Sequence, residues 1–355
     1  MKLTVGTQRL QAMLNKAIKG AGNNKLIPKT SLIAIQLKDG ILSLTTTDNT
    51  HYLSIVENGI LGDDFYVVVQ VDLLAKLVAR MTSQEVTLEV ADNCLNVIGN
   101  GTYQIDIPVE DDGAPVHLSN PIETFNRDNK IGTVNSSVID SVLAGVKPAL
   151  AVDDEYDWFT CYYVKDRITA TDTYTVADYN NGFLKEPKLI RSVMMDLVGL
   201  LVENIDVYLD GDKMLFESSN GAVFGVVPAG IENYSIDEIQ ALVQQEFDYS
   251  CKITKSSLLR LLDRISLFVG EYDNGKITLS FGTDGLNVTS KYATETINYT
   301  DAEKAGEFEC NTDVNTLITQ VKAQAGSELT IEYGKDNALK IVDGDMTSVV
   351  ALLED

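Results

Sequence analysis

An α+β chain built from three repeated units, each with two amphipathic helices set against antiparallel strands, is the architecture this sequence predicts. Three observations carry it. Six stretches, 7–20, 71–82, 136–149, 188–203, 255–269 and 313–325, space their apolar residues three and four apart, as one-faced helices do. Every second stretch is followed by alternating strands broken by Asp, Asn or Gly, a hairpin signal. The hairpin-turn residues Asp92, Asp212 and Asp336 recur at intervals of 120 and 124 residues across a chain of 355. Chains made of similar units are more often rings, arrays or scaffolds than holders of one catalytic pocket.

The elements follow in order. Met1-Lys2-Leu3-Thr4-Val5 reads as the first strand, not as the core of a signal peptide. Leu10, Met13, Leu14, Ala17 and Ile18 form the apolar face of the first helix, and Leu73, Leu74, Leu77, Val78 and Met81 that of the second. The hairpin Val86–Val90 and Leu95–Ile98 closes the first unit. The second repeats the pattern with Val138, Val142, Leu143 and Val146, then Val193, Met194, Leu197, Val198 and Leu201, then Ile205–Leu209 and Met214–Phe216. The third does so with Leu258, Leu261, Leu262 and Ile265, then Val314, Leu317, Ile318 and Val321, then Leu329–Tyr333 and Leu339–Val342. Pro- and Gly-punctuated gaps at 110–129 and 230–246, the latter holding acidic Ile236–Gln240, read as linkers. They divide the chain into units 1–125, 126–246 and 247–355.

Composition narrows the function. The net charge is −24, which taken alone argues against phosphate binding. Its distribution argues the other way. The six helical stretches hold twelve basic residues (Arg9, Lys16, Lys19, Lys76, Arg80, Lys147, Lys188, Arg191, Lys255, Arg260, Arg264 and Lys322) against six acidic ones, so the remainder carries −30. Basic helices in an acidic envelope suggest a polyanion met on one surface. Solvated outer helix faces give the same pattern and stand as the plain alternative. No apolar run approaches the ~20 residues that span a bilayer. Cys94, Cys161, Cys251 and Cys310 are scattered without metal spacing and read as reduced thiols of a cytoplasmic protein.

Catalytic signals are weak. Gly270–Ile277 imitates a phosphate loop, but Ile277 replaces its Ser or Thr, Glu271 and Asp273 would repel phosphate, and a helix precedes it. His51 and His117 lack nucleophile partners and read as structural. The pairs Asp63-Asp64, Asp111-Asp112 and Asp153-Asp154 lack the spacing of a calcium loop. No catalytic residue, metal site or cofactor is expected.

Leu26-Ile-Pro28 followed by Leu32–Asp48, with its Asp39-Gly40 turn, Leu42-Ser-Leu-Thr45 strand and Thr47-Asp48 ending, resembles the opening domain of the bacterial DNA polymerase III beta subunit, the sliding-clamp family. The ending recurs as Thr171-Asp172, while the third unit has Thr289-Ser290. The resemblance implies a DNA clamp fold, with each domain's two helices inside antiparallel sheets. It implies a head-to-tail homodimeric ring that encircles duplex DNA without reading sequence and tethers a DNA polymerase, with a clamp-loader ATPase among the candidate partners and no membrane. Helices of about 14 residues, roughly 21 Å long, would then turn Arg9, Lys16, Lys19, Lys76, Arg80, Lys147, Arg191, Arg260, Arg264 and Lys322 toward the DNA.

The resemblance also implies a partner-peptide pocket at Thr171, Thr173, Tyr174, Val176, Val350, Ala351, Leu352 and Leu353. A subunit joint is implied at Tyr103 and Ile105 against Leu267 and Phe268. The pocket departs from the family pattern. Thr173-Tyr174-Thr175 stands for Gly-His-Arg, and Ala351-Leu-Leu-Glu-Asp355 for Met-Pro-Met-Arg-Leu. Such departures fit a bacteriophage-encoded clamp working with its own polymerase in the host cytoplasm. A second reading, from the −24 charge, is an acidic DNA mimic that sequesters DNA-binding proteins; it predicts acidic surfaces throughout.

Overall fold

The computed structural model describes residues 1–22, 24, 26–91, 93–152, 157–270 and 275–354. Asp92, Asp153, Asp154, Glu271, Asp273 and Asp355 of the sequence reading lie outside the described residues. Seven helices form among those described: α1 (Thr7–Ala17), α2 (Val71–Val78), α3 (Ser136–Gly145), α4 (Ser192–Val198), α5 (Ile236–Gln244), α6 (Lys255–Ser266) and α7 (Val314–Ala323). All but α5 begin where a strand ends, at Gly6, Gln70, Asn135, Arg191, Thr254 and Asp313. The repeated strand-then-helix step is the threefold sequence period in physical form.

The chain divides into two compact units. One comprises Met1–Ser137 and Val193–Val227. It holds a five-stranded antiparallel sheet, in the order Leu61–Gly62, Lys2–Gly6, Glu85–Ala91, Cys94–Ile98, Thr102–Asp106. Its eight-stranded sheet runs Lys130–Asn135, Asn204–Asp210, Lys213–Ser218, Gly221–Val226, Tyr52–Asn58, Ile41–Thr47, Leu32–Lys38, Phe65–Gln70. Leu10, Met13, Leu14 and Ala17 of α1 and Val71, Leu74 and Val78 of α2 are buried, and the two helices pack together. Gln11 ties them by donating its side-chain N–H to Val78 O at 2.8 Å.

The other unit comprises Val138–Ser192 and Pro228–Asp355. Its nine-stranded sheet runs Lys188–Arg191, Cys161–Val164, Ile168–Thr171, Thr175–Tyr179, Met346–Ala351, Ala338–Asp343, Glu328–Lys335, Tyr249–Thr254, Asp301–Lys304. A four-stranded sheet runs Thr294–Asn298, Gly285–Thr289, Lys276–Phe281, Phe308–Asp313. Leu258, Leu261, Leu262 and Ile265 of α6 meet Leu317 and Val321 of α7 over Ile277, Leu279, Val288, Leu329, Ile331 and Ile341. Burying a side chain of this size contributes about 1.5–3 kcal/mol, so this cluster is what fixes the helix pair to the sheets. Asp313 caps α7 by accepting from Thr316 N at 2.7 Å.

Three expectations need correction. Residues 188–191 are a strand, not the start of a helix: Cys161 pairs with Arg191 and Val164 with Lys188, so Leu189 is buried by sheet pairing. The helices run 7 to 12 residues rather than 14, because residues 18–20 and 147–149 tighten into 3-10 turns and α2 stops at Val78. The expected linker at 230–246 contains α5, whose Ile239 and Val243 are buried.

The four cysteines are free thiols, three of them buried, and burial pushes Cys251 and Cys310 up to about 12. No helix among the described residues is long and apolar enough to cross a membrane. No His, Cys, Asp and Glu cluster able to hold a metal is found among them.

Candidate functional site

The basic side chains lie opposite the apolar helix faces, as the sequence periodicity requires. In the first unit, Arg9 and Lys76 are exposed on α1 and α2, Lys19 on the 3-10 turn after α1, and Arg80 just past α2. Lys16 is half-buried and donates to Leu200 O at 3.1 Å. In the second unit, Arg260 and Arg264 on α6 and Lys322 on α7 are exposed, with Lys147 exposed in the turn after α3. Arg191 is half-buried on the outermost strand of the nine-stranded sheet.

Much of this charge already has a carboxylate beside it. Arg9 lies 3.6 Å from Glu57, Lys76 3.1 Å from Asp72, Arg191 3.0 Å from Asp157 and Lys322 3.8 Å from Asp263. Arg264 makes a two-pronged pair with Glu295, which holds the Glu295 carboxyl below its ordinary value. Lys255 is engaged otherwise: its ammonium takes the carbonyls of Lys322 and Gln324 at the end of α7, where a cation offsets the helix dipole. Among the described residues no ion pair involves Lys19, Arg80 or Arg260. The pairs α1–α2 and α6–α7 therefore present scattered exposed cations, several of them matched by carboxylates, rather than a dense cationic patch.

The second candidate surface is the junction of strands Thr175–Tyr179 and Met346–Ala351, paired with Val176 opposite Val349 and Thr175 opposite Val350. The turn before it is held tightly. Thr171 donates its hydroxyl to Thr175 O at 2.6 Å and accepts from Thr173 N at 3.0 Å. Thr173 takes a left-handed φ of 77°, and Tyr174 projects with 72% of its surface exposed. Ala351 N donates to Tyr174 O at 2.9 Å. Leu352 packs against the α6–α7 core, and Leu353 is bridged to Asn311 through its backbone N–H at 2.8 Å.

The structure thus brings the eight predicted pocket residues to one end of the central strands of the nine-stranded sheet but does not put them on one face. Paired residues share a face, so Thr171, Val176, Val349 and Ala338 look one way. Val350, opposite Leu339, looks the other way. The first face is not bare. Ile239 and Val243 of α5 cover Val176, Val349, Ala338 and Tyr163. Beside them Asp178, fully buried, receives Arg167, the Thr169 hydroxyl at 2.7 Å and the Gln240 amide at 3.1 Å. Lys340 reaches the end of α5, donating to Gln245 O at 2.9 Å. Sequence reasoning missed α5, Asp178, Arg167 and Lys340 as parts of a site. A signal is present in α5: Ile236, Ile239 and Val243 are spaced three and four apart, behind Ser235 and interleaved with acidic Asp237 and Glu238.

At the expected subunit joint, Tyr103 is half-exposed on Thr102–Asp106, the last strand of its sheet, while Ile105 is buried opposite Leu95. Leu267 is 80% exposed just after α6, and Phe268 beside it is half-exposed. Both histidines are structural in placement. His51 is buried with its ring nitrogen 2.9 Å from Asp48, and the His117 ring lies against Tyr66.

Comparison with known proteins identifies the fold. Residues 1–113 match the family model of the DNA polymerase III beta subunit, N-terminal domain. No curated protein sequence matches the chain. Among solved structures, the DNA polymerase sliding clamp of Bacillus subtilis is similar with a TM-score of 0.84 at 17% identity, covering 100% of this chain and 99% of that one. The beta subunit of Thermotoga maritima gives 0.81 at 15% identity, covering 100% and 99%. The beta chain of Streptococcus pneumoniae gives 0.83 at 11% identity, covering all of both. The chain has the DNA clamp fold from end to end.

Proposed function

We propose, for a chain whose first 113 residues match the DNA polymerase III beta family and whose whole length has the clamp fold, that it is a sliding clamp. On this reading it is a non-catalytic processivity factor. Two copies close head to tail around duplex DNA and tether a polymerase. The observation that carries the reading is the full-length fold match at both chains' full coverage, together with exposed Arg9, Lys19, Lys76, Arg80, Arg260 and Lys322 on or just past α1, α2, α6 and α7.

The electrostatics suit sliding rather than tight binding. Phosphate attraction is independent of sequence, and each cation that keeps a carboxylate partner contributes less to it. A topologically closed ring needs no high affinity to stay on DNA. The exposed edge strands Thr102–Asp106 and Thr294–Asn298 are unpaired on one side within their sheets, and pairing them between copies would remove two liable edges. Tyr103, Leu267 and Phe268 would join that contact, with Ile105 supporting it from beneath. Partner peptides of the polymerase, and of a loader ATPase, would dock beside Thr171, Thr173, Tyr174, Val176, Val350, Ala351, Leu352 and Leu353. Lys16, Lys147, Arg191 and Arg264 belong to the proposed DNA-facing set, with Lys16 engaged by the Leu200 carbonyl, Arg191 by Asp157 and Arg264 by Glu295. The DNA-mimic reading is not favoured, because it gives no account of cations ranged along repeated helices.

Retention on DNA tests the proposal. The protein, with a loader or at high concentration, should stay on nicked circular duplex through gel filtration and run off after a single linearising cut. Equal retention on circular and linear DNA, or on neither while the protein blocks a DNA-binding enzyme, would overturn it.

A further inference from the structure

We infer that α5 is a built-in occupant of the partner-docking face, and that an acidic amphipathic peptide of α5's own chemistry displaces it. The inference rests on the clamp reading for what the competitor is, since that reading places partner peptides at Val176 and its neighbours. That apolar surface is already filled. Ile239 and Val243, one helical turn apart, sit on Val176, Val349, Ala338 and Tyr163, and Gln240 between them donates to Asp178. The segment Ile236–Phe247 thereby supplies what a peptide ligand would supply: two buried apolar anchors flanked by partly buried Ile236 and Phe247, an amide between the anchors, and an acidic start at Asp237 and Glu238.

The attachment is made to be undone. Gly230 precedes the segment with a φ of 89°, a conformation glycine adopts without strain. Ser235 gives α5 no side-chain cap. Only two of the helix's nine residues are buried. When α5 lifts, no buried charge is orphaned. Asp178 keeps Arg167 and the Thr169 hydroxyl, and Lys340 keeps Glu332 at 2.6 Å. What is uncovered is an apolar patch whose polar surroundings satisfy one another. That is a latent docking groove, and a partner must outcompete the helix to enter it.

A fluorescein-labelled synthetic peptide with the sequence of residues 236–247, read by fluorescence anisotropy, tests this. The full chain with Ile239→Ser and Val243→Ser should bind the peptide at least tenfold more tightly than the unaltered chain, and a peptide carrying the same two serines should bind neither. Equal affinity of both chains for the peptide would overturn the inference. Hydrogen exchange on the unaltered chain gives an answer if the variant does not fold. Amides of 237–244 should exchange ahead of those of 175–179 and 346–351, and faster still with added peptide; protection equal to the strands', unmoved by peptide, would also overturn it. Neither assay contains DNA, so failure here leaves the clamp reading to be decided independently by retention on circular DNA.

Discussion

The Asp172 carboxylate accepts the backbone N–H of Thr175 at 2.6 Å and the Thr175 hydroxyl at 2.9 Å, and so closes the turn that presents Tyr174. Asp48 does the same in the first unit, taking Thr50 N at 2.7 Å and His51 N at 2.6 Å. In both turns the preceding threonine hydroxyl donates across the loop at 2.6 Å, and the residue after the aspartate has positive φ. The Thr-Asp motif is therefore a backbone device, repeated because the fold repeats. Replacing Asp172 with Ala should cost about 1–3 kcal/mol in urea unfolding. An unchanged midpoint would show that water substitutes for the carboxylate.

Thr173 offers a gain in the same turn. A β-branched residue at a φ of 77° is strained. Glycine removes that strain while adding freedom to the unfolded chain, so Thr173→Gly should leave a net gain of roughly 0.5–1 kcal/mol. A drop in the thermal midpoint would mean that the Thr173 side chain contributes more than its backbone costs.

Asp48 makes acid stability a readout. Burial raises its pKa, but hydrogen bonds from His51 and Thr50 outweigh this and hold the carboxyl well below its ordinary value. The unfolded chain takes up the proton near pH ~4, while the folded chain resists it. The stability gained is thus fully present above pH ~4 and is lost as the pH falls below it. Unfolding curves of the native chain and Asp48→Asn should differ most at pH 7, and the gap should begin to narrow only once the pH falls below ~4. A gap that stays constant would place the Asp48 contribution in packing.

Periodicity makes six helices legible because burial of one face sets the spacing of Leu10, Leu14, Leu258 and Leu262 directly. The hairpins are legible for the same reason, and the pairing of Leu88 with Val97 and Leu209 with Met214 follows from alternation. Lys188–Arg191 misleads because Leu189 and Ile190 are adjacent apolar residues that suit either a helix face or a strand buried on both sides. Helix α5 is hidden by its acidity, which reads as a linker until Val176 and Val349 supply a surface for it. Charge partners are beyond one-dimensional reading: Glu295 lies 31 residues from Arg264, and the carbonyl of Gln324 lies 69 from Lys255.

Those partners sharpen the prediction for DNA. Reversal of Lys19, Arg80 and Arg260 together should shorten processive synthesis several-fold and lower its salt sensitivity, because no ion pair among the described residues involves them. Reversing Arg264 alone should instead set two carboxylates face to face at Glu295, and Glu295→Lys should restore that pair. Primer-extension lengths over a salt series distinguish the cases. Activity that survives the triple reversal would remove these residues from the DNA-facing set.

The chain's end divides similarly. Deleting Leu352–Asp355 should abolish polymerase stimulation without dissolving the ring, but Leu352 also packs against the α6–α7 core. Leu353→Ala isolates the exposed side chain, whose backbone bridge to Asn311 survives the change. It should weaken stimulation while leaving the unfolding midpoint unmoved. Full stimulation by Leu353→Ala would exclude that side chain from the docking surface.

The pair Arg167 and Asp178 borders the face that α5 covers, and its energetics can be read by a cycle of substitutions. Asp178 is fully buried, and its hydrogen bonds raise the Arg167 pKa above the usual value. Removing the carboxylate leaves a partly buried guanidinium without its counter-charge, and leaves the Thr169 hydroxyl and Gln240 amide without their acceptor. Asp178→Leu should therefore cost about 3 kcal/mol, whereas Arg167→Met with Asp178→Leu should recover much of the loss, because the charge and its partner leave together. Urea unfolding of the two single variants and the double gives the coupling. If the losses simply add, the pair is not a unit, and the polar border of the α5 groove is held by Thr169 and Gln240 instead.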